Sequence, residues 1–102
     1  MTKFSNELTE AQAERLAILV EELGEAQQAA GKILRHGYES YNPDDCESDS
    51  NRQNLTKELG DVRYIITLMA LQGDISEGRM QDRVKIKAKK IVPYLHHQGE
   101  EQ

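Results

Sequence analysis

Two short acidic segments hold the residues best suited to chemistry. The stretch VEELGEA, Val20 to Ala26, carries Glu21, Glu22 and Glu25, and the stretch ELGD carries Glu58 and Asp61. Residues three apart on a helix are surface neighbours, so Glu22 shares a face with Glu25, and Glu58 with Asp61. Each pair adjoins apolar positions. Glu22 and Glu25 border a row set by Val20, Leu23 and Ala30, Glu58 falls between Leu55 and Val62 in a second row, and Asp61, four before Ile65, lies at its border. Like charges at this spacing destabilise a helix by about a few tenths of a kcal/mol. An unpaired carboxylate taken out of water costs roughly several kcal/mol more unless it is neutralised or meets a cation. Either pair alone reads equally well as surface acids paired with lysine; two pairs beside two core rows do not. If the helices run antiparallel, four carboxylates converge. Oxygen-only ligands suit a hard cation, Mg2+ with Mn2+ as the alternative, and four acids can hold more than one such ion. A metal held this way activates water as a nucleophile.

Three helices must position these groups. The first is predicted to begin at Thr9, where TEAQ forms a capping box with Gln12. Leu16, Leu19, Val20, Leu23, Gln27, Ala30 and Leu34 then follow helical spacing as its expected core stripe, and Gly37 is a natural stop. A polar, acidic linker, 38–51, contains Pro43 and a cluster of Asp, Ser and Asn that excludes regular structure and suggests mobility. The second helix is predicted to start near Ser50 with the capping box SNRQ and to bury Leu55, Leu59, Val62, Ile66 and Met69. From Val62 onward it is apolar on nearly every side, the mark of a helix covered all round. Three helices in one chain cannot easily supply that cover, which points to a homo-oligomer. QGD, residues 72–74, reads as a turn, and Ser76 as the cap of a third helix with core positions Val84, Ala88, Ile91 and Leu95. Pro93 should kink or end that helix, and the polar tail, 97–102, is expected to fray. The expected fold class is all-α: one domain, an antiparallel helical bundle.

Composition narrows the function. A chain of 102 residues with a formal net charge of −5 lacks the basic surface that sequence-independent nucleic-acid binding needs. Cys46 is the only cysteine, so no internal disulfide forms, and no Cys/His cluster has zinc spacing. The segment MTKFSNELTE lacks the apolar run of a signal peptide, and the apolar stretch Val62–Leu71 is too short to span a bilayer. A soluble, cytoplasmic protein without membrane partners is the expectation.

EELGE followed by ELGD resembles the EExxE…ExxD signature of the MazG-like, all-α nucleoside triphosphate pyrophosphohydrolases. The similarity runs from about Leu16 to Gln98, and KILRHG and YLHHQ look like the small phage and bacterial members. The separation between Glu25 and Glu58 is long for that family, with the extra length in the polar linker, where insertion is cheap. The resemblance implies a helical bundle assembled as a dimer or tetramer. It also implies Mg2+-dependent hydrolysis of (deoxy)nucleoside triphosphates to the monophosphate and pyrophosphate, a nucleotide-pool activity. By motif matching, Glu22, Glu25, Glu58 and Asp61 would be the metal ligands, and Glu21 and Glu22 the catalytic pair. Glu21 points to another face from Glu25, so three roles stay open for it: support of a ligand carboxylate, an intersubunit contact, or the base for the attacking water.

A triphosphate needs cations beyond the metal. The first helix continues its acidic face through Lys32 and His36, with Arg35 to one flank. On the strongly basic third helix, Lys87 and Lys90 flank core positions and are candidates to reach a phosphate; a solvated basic face explains any single lysine there as well. Tyr38, Tyr41 and Asn42 in the linker offer stacking or hydrogen bonds to a base. The competing readings are a non-catalytic helical adaptor, which has no reason to put carboxylates beside its core, and a metal-binding regulator that senses nucleotides without hydrolysing them.

Overall fold

The computed structural model describes residues 5–45 and 48–99. Cys46 and the last residues of the tail, 100–102, lie outside the described residues, as do the first four of the N-terminal segment. Helix α1 spans Glu10–His36, α2 Asn51–Leu71 and α3 Glu77–Lys90, followed by a single 3-10 turn at Val92–Tyr94. Among the described residues there is no strand.

The helix ends form where the sequence places them. Thr9 Oγ1 accepts from the Gln12 backbone N–H at 3.0 Å, and Gln12 Oε1 accepts from the Thr9 N–H at 2.9 Å. Ser50 and Gln53 repeat this reciprocal box at the start of α2. Each box satisfies two donors that the first turn leaves unpaired. Gly37, with φ of 87°, ends α1 in a conformation that side chains disfavour, and its N–H bonds back to the Ile33 carbonyl. At the end of α2, the Gly73 N–H reaches the Ala70 carbonyl and the Asp74 N–H reaches that of Met69, a Schellman closure with Gly73 at φ 82°. Ser76 caps α3, and the chain leaves the α-helix just before Pro93.

Helices α1 and α2 form an antiparallel hairpin. At one end, Arg15 on α1 clasps Asp74 just beyond α2 in a two-pronged ion pair, Nε to Oδ2 at 2.6 Å and Nη2 to Oδ1 at 3.0 Å, with both side chains largely buried. At the other end, the Asn51 amide donates to the Gly37 carbonyl, the Arg52 N–H to the Tyr38 carbonyl, and the Asn51 N–H to the Ser40 carbonyl. The linker is therefore closed at its base rather than loose from end to end. The buried core of the hairpin is Ala29, Val62, Ile65 and Met69, with Ile65 fully excluded from solvent.

The core differs from the sequence expectation on all three helices. On α1, Leu16, Val20, Leu23, Ala30 and Leu34 are exposed, Val20 by 70% and Leu34 by 89%. The row that faces α2 keeps Leu19 of the expected stripe and adds Glu22, Ala26, Ala29 and Ile33, all buried or half-buried. Its alanines let the second helix approach closely, which side-chain volume decides and hydrophobicity alone does not. On α2, Leu59 is exposed and Ile65 takes the central place. Of the core positions expected for the third helix, Val84, Ala88 and Leu95 are exposed and Ile91, just beyond its end, is half-buried, because α3 makes no extended contact with the hairpin. The chain is correspondingly extended, with a radius of gyration of 18.2 Å, against about 13 Å for a compact domain of this length.

Candidate metal and phosphate site

The hairpin brings all four predicted acids together. Glu22 and Glu25 from α1 and Glu58 and Asp61 from α2 each offer one carboxylate oxygen, and these four atoms lie within 4.8 Å of one another. The three glutamates are half-buried and Asp61 is exposed, so the cluster opens to solvent on one side. Two oxygens, Glu22 Oε2 and Glu58 Oε2, are buried with no hydrogen-bond partner among the described residues. A buried carboxylate oxygen without a donor is costly, and a cation is the group that removes the cost.

The electrostatics agree. A hydrogen bond to Glu58 holds the Glu25 carboxyl above its ordinary range, helped by the charge of Glu22 and by burial. Burial raises the Glu22 carboxyl in the same direction, with the charges of Asp61, Glu21 and Glu58 adding to it. Without a cation, the cluster therefore favours holding a proton. Lys57 lies close enough to feel Glu58 and Asp61, but its ammonium is hydrogen-bonded to Asp49 at 3.0 Å, which is the main reason its pKa is raised. An all-oxygen set of four carboxylates fits a hard divalent cation.

Beside the acids lies an open cavity of about 420 Å3, lined by Glu25, Gln28, Ala29, Lys32, Asn51, Asn54 and Glu58. Its volume lies within the range of roughly 300–1,000 Å3 usual for small-molecule sites. Lys32 is thus beside the carboxylates. Arg35 lies in a neighbouring shallow depression with Gly24, Gln27, Gln28, Gly31 and Lys32. His36 is exposed at the end of α1 and lines neither. Glu21 is exposed beside the cluster and contributes its charge to it. Lys87 sits on α3 against Met80, Val84 and Ile91, and Lys90 is exposed at the end of that helix; within one chain neither lines the cavity. The Tyr38 ring is covered by the Arg52 guanidinium, 4.3 Å from its centroid, and Tyr41 lines a separate depression with Glu39, Arg52 and Gln53.

Sequence reasoning missed the amides of Gln28, Asn51 and Asn54. Gln28 is three after Glu25 and Asn54 four before Glu58, so extending each acidic face by one turn would have found two of them.

Four carboxylates converging between two antiparallel helices fit an all-α hydrolase fold of the MazG-like and phosphoribosyl-ATP pyrophosphohydrolase kind, and the family comparison gives that class. The model of the phosphoribosyl-ATP pyrophosphohydrolase family matches residues 2–88, and the chain belongs to that family. No curated protein and no solved structure matches it. Membership supports enzymatic hydrolysis of a nucleotide-type substrate at the level of the family. Among the described residues, no helix is long and apolar enough to cross a membrane.

Proposed function

We propose that the protein is a cytoplasmic nucleotide pyrophosphohydrolase that converts (deoxy)nucleoside triphosphates to the monophosphate and pyrophosphate. The observation that carries this reading is the convergence of four carboxylate oxygens within 4.8 Å, two of the glutamates having a buried oxygen without a donor. Glu22, Glu25, Glu58 and Asp61 would hold Mg2+, or Mn2+ in its place. When bound, the ion supplies positive charge to the phosphates and acidifies water. The chain's own groups do the rest. Lys32 meets phosphate oxygens from the cavity wall, with Arg35 and His36 further along the same helix. Water attacks the α-phosphorus, the bond from that phosphorus to the α–β bridging oxygen breaks, and pyrophosphate leaves with the electron pair. Glu21, exposed beside Glu22, accepts the proton of the attacking water. The protein works as a homo-oligomer, a dimer or tetramer. Support for this comes from its extended shape and from Leu59, Tyr64 and Leu71, which α2 leaves exposed. Lys87 and Lys90 would then serve the site of another copy.

A second reading, with phosphoribosyl-ATP as substrate, is favoured by the family match. One experiment separates the two: incubation with the NTPs, the dNTPs and phosphoribosyl-ATP in Mg2+, with identification of the products. Pyrophosphate from one or more triphosphates supports the first reading; turnover of phosphoribosyl-ATP alone supports the second. Stabilisation by metal with no turnover of any of them would leave the nucleotide-sensing regulator. No metal response and no turnover would leave the helical adaptor.

A further inference from the structure

The cavity beside the acids is polar in an uneven way. Its charged residues are Glu25, Glu58 and Lys32, and the rest of its lining is three carboxamides, Gln28, Asn51 and Asn54, with Ala29. These residues stand in tiers. On α2, Asn54 lies one turn and Asn51 two turns before Glu58, about 6 and 10 Å along the helix axis from the acids. On α1, which runs the other way, Gln28 and Lys32 follow Glu25 by one and two turns. A helix inclines its side chains toward its own N-terminus. Between antiparallel helices, the Lys32 ammonium is therefore carried back toward the carboxylates, and the amides of Asn51 and Asn54 away from them. Charge gathers at one end of the cavity and uncharged polar groups at the other.

Hydrogen bonding within the chain leaves these amides capacity for a ligand. Asn51 Nδ2 donates to the Gly37 carbonyl at 3.1 Å. Only the amino half of an amide can donate, so the Asn51 carbonyl oxygen is the half left over, an acceptor. The half-buried Asn54 amide makes no side-chain hydrogen bond among the described residues, and offers both a donor and an acceptor. The N–H groups of the first turn of α2 are all taken, by the carbonyls of Ser40, Tyr38 and Ser50 and by the Ser50 hydroxyl. A phosphate would find no donors at that helix end.

A group that suits this end is uncharged, hydrogen-bonds in both senses, and does without a stacking surface. Among the described residues no aromatic ring lines the cavity, whereas a base held in a pocket is ordinarily stacked on one. A ribose meets the description. Its hydroxyls both donate and accept, and they lie one sugar ring beyond the α-phosphorus, as the amides lie one to two turns beyond the acids. We propose that this cavity is a ribose subsite, in which Asn54 takes the 2′-hydroxyl and Asn51 accepts from the 3′-hydroxyl. The protein then prefers ribonucleoside to deoxyribonucleoside triphosphates and leaves the base outside, with Asn54 as the specificity-determining residue. This rests on the triphosphate reading above and names the sugar it selects.

The ratio of kcat/KM for each NTP over its dNTP tests it, read from pyrophosphate release in Mg2+. The wild type should favour the ribonucleotides by about tenfold, the worth of one hydrogen bond to a hydroxyl, and the four bases should differ less than the two sugars do. Asn54→Ala puts a better helix former into α2, so helicity by circular dichroism should hold while the ratio falls close to one. A wild-type ratio of one, or a preference unmoved by Asn54→Ala, overturns the ribose subsite and leaves hydrolysis standing. Selection among bases that exceeds selection between sugars places the base in the cavity and overturns it too. No turnover of any triphosphate overturns the reading on which it rests.

Discussion

The two faces of α1 divide the work against intuition. The inner face, which packs on α2, carries Arg15, Glu22 and Glu25 among small residues, while the outer face carries the larger apolar row and is open to solvent. Burial on the inner face is governed by how close two backbones can come, and Ala26 and Ala29 make that distance short. Among the described residues, most of the apolar outer face, Val20 and Leu34 above all, is left without cover. An apolar stripe therefore marks a surface that wants cover, and a single chain need not be what covers it.

The sharpest way to break this contrast is to alter one charge on the inner face. Glu58→Gln should lower turnover on the order of 100-fold or more, while the Tm of the metal-free protein holds or rises, since a buried oxygen without a donor loses its charge. Assay of pyrophosphate release beside thermal melts in EDTA measures both. Retained activity with a large fall in Tm would make the acid cluster structural.

Packing should follow the same division. Ile65→Ala, in the fully buried centre of the hairpin, should cost about 2–5 kcal/mol in urea unfolding. The exposed Leu34→Ala should stay within about 0.5 kcal/mol under conditions where the protein is monomeric. Equal costs would mean that α1 buries both faces in one chain.

Metal and pH test the inner face together. Mg2+ or Mn2+ should raise the Tm, by roughly 2.7 kcal/mol of stabilisation at a hundred times its Kd, and Asp61→Asn should shrink the effect. The raised Glu22 and Glu25 carboxyls favour the protonated folded state. Their contribution is full below the ordinary carboxylate range and fades as pH rises through their raised values. Asp74, lowered by its hydrogen bond to Arg15, works the other way: its contribution is full above the ordinary range and fades as pH falls through its lowered value. The metal-free Tm should therefore peak in the acidic range and decline toward neutrality, whereas the gain from Mg2+ should grow with pH. A metal-free Tm that keeps climbing to neutral pH contradicts the inner-face electrostatics.

The smallest effect belongs to Gly24→Ala. With no neighbour to meet the new methyl in the single chain, helix stability should improve by about 0.5–1 kcal/mol, read as a small rise in Tm. A fall in Tm would show that this position needs the glycine.

What was legible in the sequence follows from the range of each interaction. Thr9 with Gln12, Ser50 with Gln53, Gly37, the 72–74 turn and Pro93 act within a few residues, and the chain ends or starts its helices at each. The acids were legible as a group because two spacings of three, on helices joined by one linker, need only an antiparallel return to meet. The packing face of α1 was not, because Leu16–Leu34 and Leu19–Ile33 are both helical rows, and counting apolar residues favours the one left outside. The detachment of α3 was not, since an amphipathic pattern looks the same whichever molecule covers it. The cavity amides Gln28 and Asn54 continue the acidic faces by one turn, but an uncharged side chain on a helix face does not by itself mark a site.

The hairpin is fastened at both ends, by Arg15 to Asp74 on one side and by Asn51 and Arg52 to the close of α1 on the other. The carboxylates sit between these fixed points, like charges of one sign on a beam clamped at its ends. The two fastenings limit splaying of the helices, so the four carboxylate oxygens are held within 4.8 Å of one another. A divalent ion bound there, as proposed, would meet ligands already in place, and the ordering it need not impose would count toward affinity.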